Sequence, residues 1–244
     1  MNKQSINKEV VAKVSKMVPG QVFDYSCFNN YREKPTAIAK ALSRLAKTDH
    51  IKRIEKGKYY VPRKTKFGTL KPSENEFLKA ITNQNNGETV YETGLGIYNK
   101  IGLTTQVPNA IILATKKQKP SKTINGVKIR YTKKNFDISK YDPYLLQLLD
   151  AIKDSKNIPD SSPDEVIRII KTRIRELPLK KVRELKRASY NYPPYVRAIL
   201  GAIIEIIYNA KEAKTLKNTL NPLTKYSFPI NELSLPNKEK WGIK

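Results

Sequence analysis

Ile6, Val10, Val14 and Met17 recur at helical spacing in an otherwise polar stretch, which predicts an amphipathic helix stopping at Pro19 and Gly20. Val22 and Phe23 read as a short strand, and residues 25–31 as a second short helix presenting Phe28. A third helix begins near Pro35 and Thr36 and buries Ile38, Ala41, Leu42 and Leu45. After Asp49 and His50, residues 51–54 read as a strand, 55–58 as a turn and 59–61 as a returning strand that ends before Pro62. Helix, strand, helix, helix and hairpin is the order of a winged helix-turn-helix, which we place at residues 1–62.

Residues 63–72 are basic, lack periodicity and contain Gly68 and Pro72, so they read as a linker. The region that follows, 73–220, opens on the capping box of Ser73 and Glu76. Residues 94–101 are predicted helical with Gly102 closing the helix, and 109–115 form an apolar strand candidate. Asn125 and Gly126 signal a hairpin turn before the alternating Val127, Ile129 and Tyr131. From Pro143 onward the period is helical, over 144–152, 163–177, 179–188 and 195–208, with Ser162, Pro163 and Glu165 marking one helix start. The last stretch, 221–244, carries three prolines and reads as an irregular strap. The fold class is α+β: an N-terminal winged helix and a C-terminal mixed α/β domain ending in a helical bundle.

Charge changes the picture. The chain has 47 basic and 22 acidic residues, a formal net charge of +25, in 244 residues. Residues 1–71 alone hold 17 basic and 5 acidic side chains. Such an excess repels itself in a compact state and points to a polyanion as partner, nucleic acid first. Cys27 and His50 are the only residues of their kinds, so no disulfide framework, metal site or cofactor is expected. The N-terminus has no apolar leader, and residues 195–208 are too short and too interrupted to span a bilayer, so the chain reads as cytoplasmic with no membrane partner.

With Ile38, Leu42 and Leu45 facing the core, Ala37, Lys40, Arg44 and Lys47 share the opposite face of the third helix, flanked by Thr36 and Ser43. A helix fits the DNA major groove, and Arg44 is the candidate for a bidentate guanine contact. Thr36 and Ser43 can reach phosphates or bases, Ala37 leaves room for a thymine methyl, and Lys40 and Lys47 suit phosphates. The hairpin supplies a wing with Arg53, Lys56, Lys58 and Tyr59 near the backbone.

Residues 21–62, above all 40–45 (Lys-Ala-Leu-Ser-Arg-Leu) and 51–60 (Ile-Lys-Arg-Ile-Glu-Lys-Gly-Lys-Tyr-Tyr), resemble the winged-helix domain of AbiEi-type antitoxins. Residues 91–94 (Tyr-Glu-Thr-Gly) and 98–108 (Tyr-Asn-Lys-Ile-Gly-Leu-Thr-Thr-Gln-Val-Pro) resemble the segment that follows in one branch of that family. The similarity covers roughly residues 5–135. It implies a type IV toxin–antitoxin arrangement. The winged helix would repress the chain's own promoter, through inverted repeats and as monomer or dimer, and the C-terminal domain would counteract a nucleotidyltransferase toxin. The family often has Gly where this chain has Asp49 and His50, a position where Asp tolerates left-handed geometry.

Two other readings remain open. The basic helices over 163–188 leave Arg168, Lys171 and Arg175 together outside, a solvated face or a second anion-binding surface for RNA. A metal-dependent nuclease would need gathered carboxylates, and Asp154-Ser155-Lys156 or Glu55-Lys56-Gly57-Lys58 offer only local spacing. Gly94 and Gly96 lack the rest of a phosphate loop and suit close packing better. No catalytic residue is assigned, and the chain reads as a binding protein, not an enzyme.

Overall fold

A computed structural model of the chain describes residues 6–66, 68–82, 89–124 and 126–244. Residues 1–5, Phe67 in the expected linker and Asn125 of the expected hairpin turn lie outside the described residues. The chain falls into two compact units, 1–88 with 124–126, and 89–123 with 127–244. The architecture is mixed α+β.

In the first unit, helix α1 (Ile6–Ser15) buries Val10 and Val14 and packs on α2 (Pro35–Lys47), which buries Ile38, Ala41 and Leu42. Three short strands, β1 (Val22–Asp24), β2 (Lys52–Glu55) and β3 (Lys58–Tyr60), form an antiparallel sheet in the order β1-β3-β2. Two helices packed with such a sheet follow the element order expected of a winged helix. The expected second helix is reduced to a single 3-10 turn, Tyr25–Cys27. Asp24 accepts a hydrogen bond from the Ser26 N–H at 2.8 Å and so starts that turn, and the extended backbone of Phe28 ends it.

The end of α2 shows how the chain turns there without a glycine. Asp49 adopts φ +56°, the His50 N–H donates to the Leu45 carbonyl at 3.0 Å, and the Asp49 N–H donates to Ala46 at 3.3 Å. This is the paired bonding of a Schellman cap, with aspartate in the left-handed position. Lys52 Nζ holds the Asp49 carboxylate at 2.6 Å and lowers its pKa.

Residues 63–72, expected as a linker, contain a hairpin, β4 (Arg63–Thr65) with β5 (Gly68–Leu70). All six of its residues are exposed, so no alternation of polarity announces it. Helix α3 (Glu74–Thr82), expected to open the second domain, packs on β1 in the first unit and buries Phe77, Leu78 and Ile81.

The second unit begins with β6 (Tyr91–Thr93), α4 (Leu95–Lys100), β7 (Ile111–Thr115), β8 (Lys122–Ile124) and β9 (Val127–Lys133). Its sheet has the order β6-β7-β9-β8, antiparallel between β6 and β7 and parallel between β7 and β9. Helices α5 (Pro143–Asp154), α6 (Pro163–Arg175), α7 (Leu179–Ser189), α8 (Pro194–Ile207) and α9 (Ala210–Lys217) follow. Their starts obey local chemistry: Asp142, Ser162 and Asn209 each cap a helix through the side chain, and Pro143 and Pro163 occupy first positions.

The core of this unit runs through α5, α6 and α8 and extends to the C-terminal segment, where Phe228, Ile230, Leu235, Trp241 and Ile243 are buried. At Gly201 in α8 a Cβ would lie 2.1 Å from the ring of Trp241, the only tryptophan, whose indole N–H donates to Glu205 at 2.7 Å. Gly201→Ala should therefore cost about 1–3 kcal/mol through overpacking. It should also red-shift the tryptophan emission as the ring is pushed out, and unchanged melting with unchanged emission would contradict this packing.

Candidate nucleic-acid interface

The amphipathic pattern of α2 sets its outward face. Thr36, Ala37, Lys40, Ser43, Arg44 and Lys47 are all exposed, and Leu45 is half-buried at the margin. Among the described residues, Lys40, Arg44 and Lys47 have no acidic partner. Their charge is therefore not neutralised by any described acidic residue. The arrangement offers three cations and two hydroxyls along thirteen residues of helix.

The wing is shorter and more tightly braced than its sequence suggests. Gly57 turns at φ +84°, and a Cβ there would stand 3.1 Å from the Tyr25 ring. The register places Asp24 opposite Lys58 and Phe23 opposite Tyr59, so β3 is the central strand with neighbours on both edges. Arg53 and Lys56 are exposed. Lys58 is only 9% exposed and pairs with Glu55 at 3.1 Å. Tyr59 is 4% exposed, stacked on Phe23 with centroids 6.1 Å apart. Burial and the neighbouring Tyr25 push the Tyr59 hydroxyl up to about 12, so it stays neutral. This corrects the expected wing set: Lys58 and Tyr59 serve the interior, because a three-residue central strand is covered on both faces. Arg53 and Lys56 remain as wing cations.

Beside the wing turn lies an open groove of about 1030 Å³, lined by Tyr25, Asn29, Tyr31, Arg32 and Lys56 among others. Tyr25 and Tyr31 stack, 5.7 Å between centroids and 9° between planes. Arg32 is exposed and extends the basic surface, a residue that the sequence did not single out. It stands in irregular backbone before α2, where no periodicity marks a face.

In the second unit, the expected cluster Arg168, Lys171 and Arg175 is not a set of equivalent exposed cations. Arg168 faces Glu165 at 3.8 Å, Lys171 Nζ donates to the Ser234 carbonyl at 3.0 Å, and Arg175 is exposed. Lys171 therefore ties α6 to the C-terminal segment. The carboxylate of Asp154 accepts from Tyr98 at 2.7 Å, Ser155 is buried, and Lys156 donates to the Ser227 carbonyl. Among the described residues no group of three or more His, Cys, Asp or Glu could hold a metal ion, and no helix is long and apolar enough to cross a membrane. His50 is exposed with its Nδ1 2.9 Å from the Thr48 hydroxyl, and Cys27 packs at the margin of the first core.

The segment that resembles the antitoxin family is largely packing chemistry here. Gly94 has φ +76°, Gly96 lies against Glu92, and Leu103 and Thr104 are buried. Gln106 and Val107 are exposed, with the Gln106 N–H donating to the Thr104 hydroxyl at 3.2 Å.

One protein family, described as a family of unknown function (DUF6088), matches residues 9–186. No curated protein matches the chain. Among solved structures, the crystal structure of RV2827C protein from Mycobacterium tuberculosis is similar at 12% identity with a TM-score of 0.42. That match covers 90% of this chain and 83% of the other. It is too low to carry an argument.

Proposed function

This chain belongs to the DUF6088 family, and we propose that it binds duplex DNA through α2 and the wing, represses its own promoter and acts as the antitoxin of a type IV pair. One observation carries the DNA reading. The six outward residues of α2 form a continuous exposed face whose three cations have no acidic partner among the described residues. A basic helix beside a short basic hairpin matches the shape and charge of the major groove and its flanking phosphates. The antitoxin half rests on the resemblance of residues 21–62 and 91–108.

A gel shift compares the DNA upstream of this gene with a shuffled duplex at near-physiological salt. Tight, competitor-resistant binding to the first alone supports the repressor; equal, salt-sensitive binding to both reduces it to a general duplex binder. Co-expression with a neighbouring nucleotidyltransferase gene tests the antitoxin half, where rescue of growth is the expected result.

The wing makes a separate prediction. Lys56→Ala should weaken binding to all duplexes alike and reduce the slope of log affinity against log salt by about 1, as one phosphate contact is lost. A sequence-dependent loss would mean that Lys56 reads bases.

A further inference from the structure

We propose that the second unit carries a binding site for single-stranded nucleic acid, formed where the C-terminal segment crosses α5 and α8, and independent of the duplex-binding face. Two adjoining recesses mark it. One, of about 390 Å³, is lined by Lys153, Lys156, Tyr195, Lys225, Tyr226 and Phe228 among others. The other, of about 260 Å³, is lined by Lys217, Lys225, Tyr226, Lys240 and Trp241 among others. Lys225 and Tyr226 belong to both and form the ridge between them.

The chemistry suits a nucleotide chain. Tyr195 and Phe228 stack, with centroids 5.5 Å apart, and Phe228 is buried while Tyr195 and Tyr226 are half-exposed. The walls therefore offer aromatic surface held at fixed positions. Lys153, Lys156 and Lys225 are exposed around the larger recess. Lys156 donates to the Ser227 carbonyl and lies 4.3 Å from the Phe228 ring centroid, which fixes its place without neutralising it. At the larger recess, among the described residues, the carboxylate contact is Lys153 with Asp154 at 3.8 Å, an exposed pair of little strength, and Asp154 also accepts from Tyr98. Across the ridge, Lys217 lies 5.6 Å from the Trp241 ring centroid. Lys240 is already paired with Glu205 and Glu239 lines the same recess, so the smaller recess contributes less free positive charge.

Lysines tracking a backbone beside aromatic walls are the combination that binds single strands without sequence preference. A duplex cannot use the recesses, because its bases are stacked inside. The larger volume falls in the range of small-ligand pockets, room for about one nucleotide. Tyr195 and residues 225–228 lie beyond the stretch matched to the family, so the family description does not bear on this site.

The test is fluorescence anisotropy of the full chain with labelled oligouridylate and, separately, oligothymidylate, alongside the duplex of the gel shift. The double variant Lys153→Ala/Lys225→Ala should weaken single-strand binding about tenfold, and Tyr226→Leu, which keeps apolar volume, should weaken it by a similar factor. Lys211→Ala/Lys214→Ala removes two exposed lysines that line neither recess and should change it less than about twofold. Preference for one oligomer, or none, identifies which strand the site takes. Equal losses in the control and the site variants would overturn the proposal, as would absent single-strand binding in a chain that still shifts duplex. Absent duplex binding with single-strand binding intact would instead remove the duplex-binding reading and leave this site standing.

Discussion

Asp150→Ala should destabilise the second unit by about 3–5 kcal/mol, read by urea or thermal unfolding. Asp150 is 2% exposed, and four donors converge on its carboxylate. Tyr91 donates at 2.9 Å, Thr93 at 2.6 Å, Tyr192 at 2.9 Å, and Lys134 forms an ion pair with it. The Lys134 ammonium also lies 5.9 Å and 5.2 Å from the centroids of the Tyr91 and Tyr192 rings. Burial, then the adjacent carboxylate, raises the Tyr91 and Tyr192 phenols well above the usual range, so both remain donors.

Alanine would strand a largely buried ammonium and three hydroxyls together. That desolvation penalty, not the net value of the ion pair, makes the effect large. Asp150→Asn keeps an oxygen acceptor but not the charge and should fall between alanine and the native chain. Adding Lys134→Met to Asp150→Ala should recover part of the loss, and a double-mutant cycle measures how much. A loss below about 1 kcal/mol for alanine would mean that water reaches the carboxylate and that the network carries little of the fold.

Arg44→Ala should lower affinity for the specific duplex by ~1–3 kcal/mol, roughly five- to 150-fold, and relax discrimination at one base position. Arg44 is exposed in the last turn of α2, on the face opposite Ile38 and Leu42. Its planar fork can meet two acceptors of guanine at once, which a lysine ammonium cannot. Arg44→Lys therefore separates two roles. If lysine preserves affinity and discrimination, Arg44 meets phosphate; if it keeps nonspecific binding but loses the preferred base, Arg44 reads sequence. Because the side chain is solvated, neither change should move the melting temperature appreciably, so a binding loss cannot be assigned to unfolding.

Much of the first unit was legible because its signals are local. The 3.6-residue period gave α1 and α2, and alternation with a glycine turn gave β2 and β3. The helix start at Pro163 was visible for the same reason, as a cap is chemistry within four residues. The start of α9 carries the same kind of local signal, as the Asn209 side chain accepts from the Glu212 N–H at 3.0 Å. The hairpin over residues 63–70 gave no signal at all, since every paired side chain faces solvent.

The candidate site divides along the same line. Helical period alone sorted Thr36, Ala37, Lys40, Ser43, Arg44 and Lys47 to the outward face of α2, and all six are exposed. It misplaced Lys58 and Tyr59, because a three-residue strand has too few positions to reveal that sheet neighbours cover both sides. It left Arg32 unseen and grouped Lys171 with exposed cations, although its ammonium reaches a carbonyl sixty-three residues away.

The sequence by itself determined the α+β character, the strong positive charge and the faces of the long helices, because composition and periodicity are properties of neighbouring residues. The tertiary structure decided which charges are free, which tyrosines are interior, and what surrounds Asp150. It also brought residues near 153 and 195 to the C-terminal segment and so made the aromatic recesses. Those facts depend on groups distant in the chain meeting in space, and desolvation, which sets their energies, exists only once they have met.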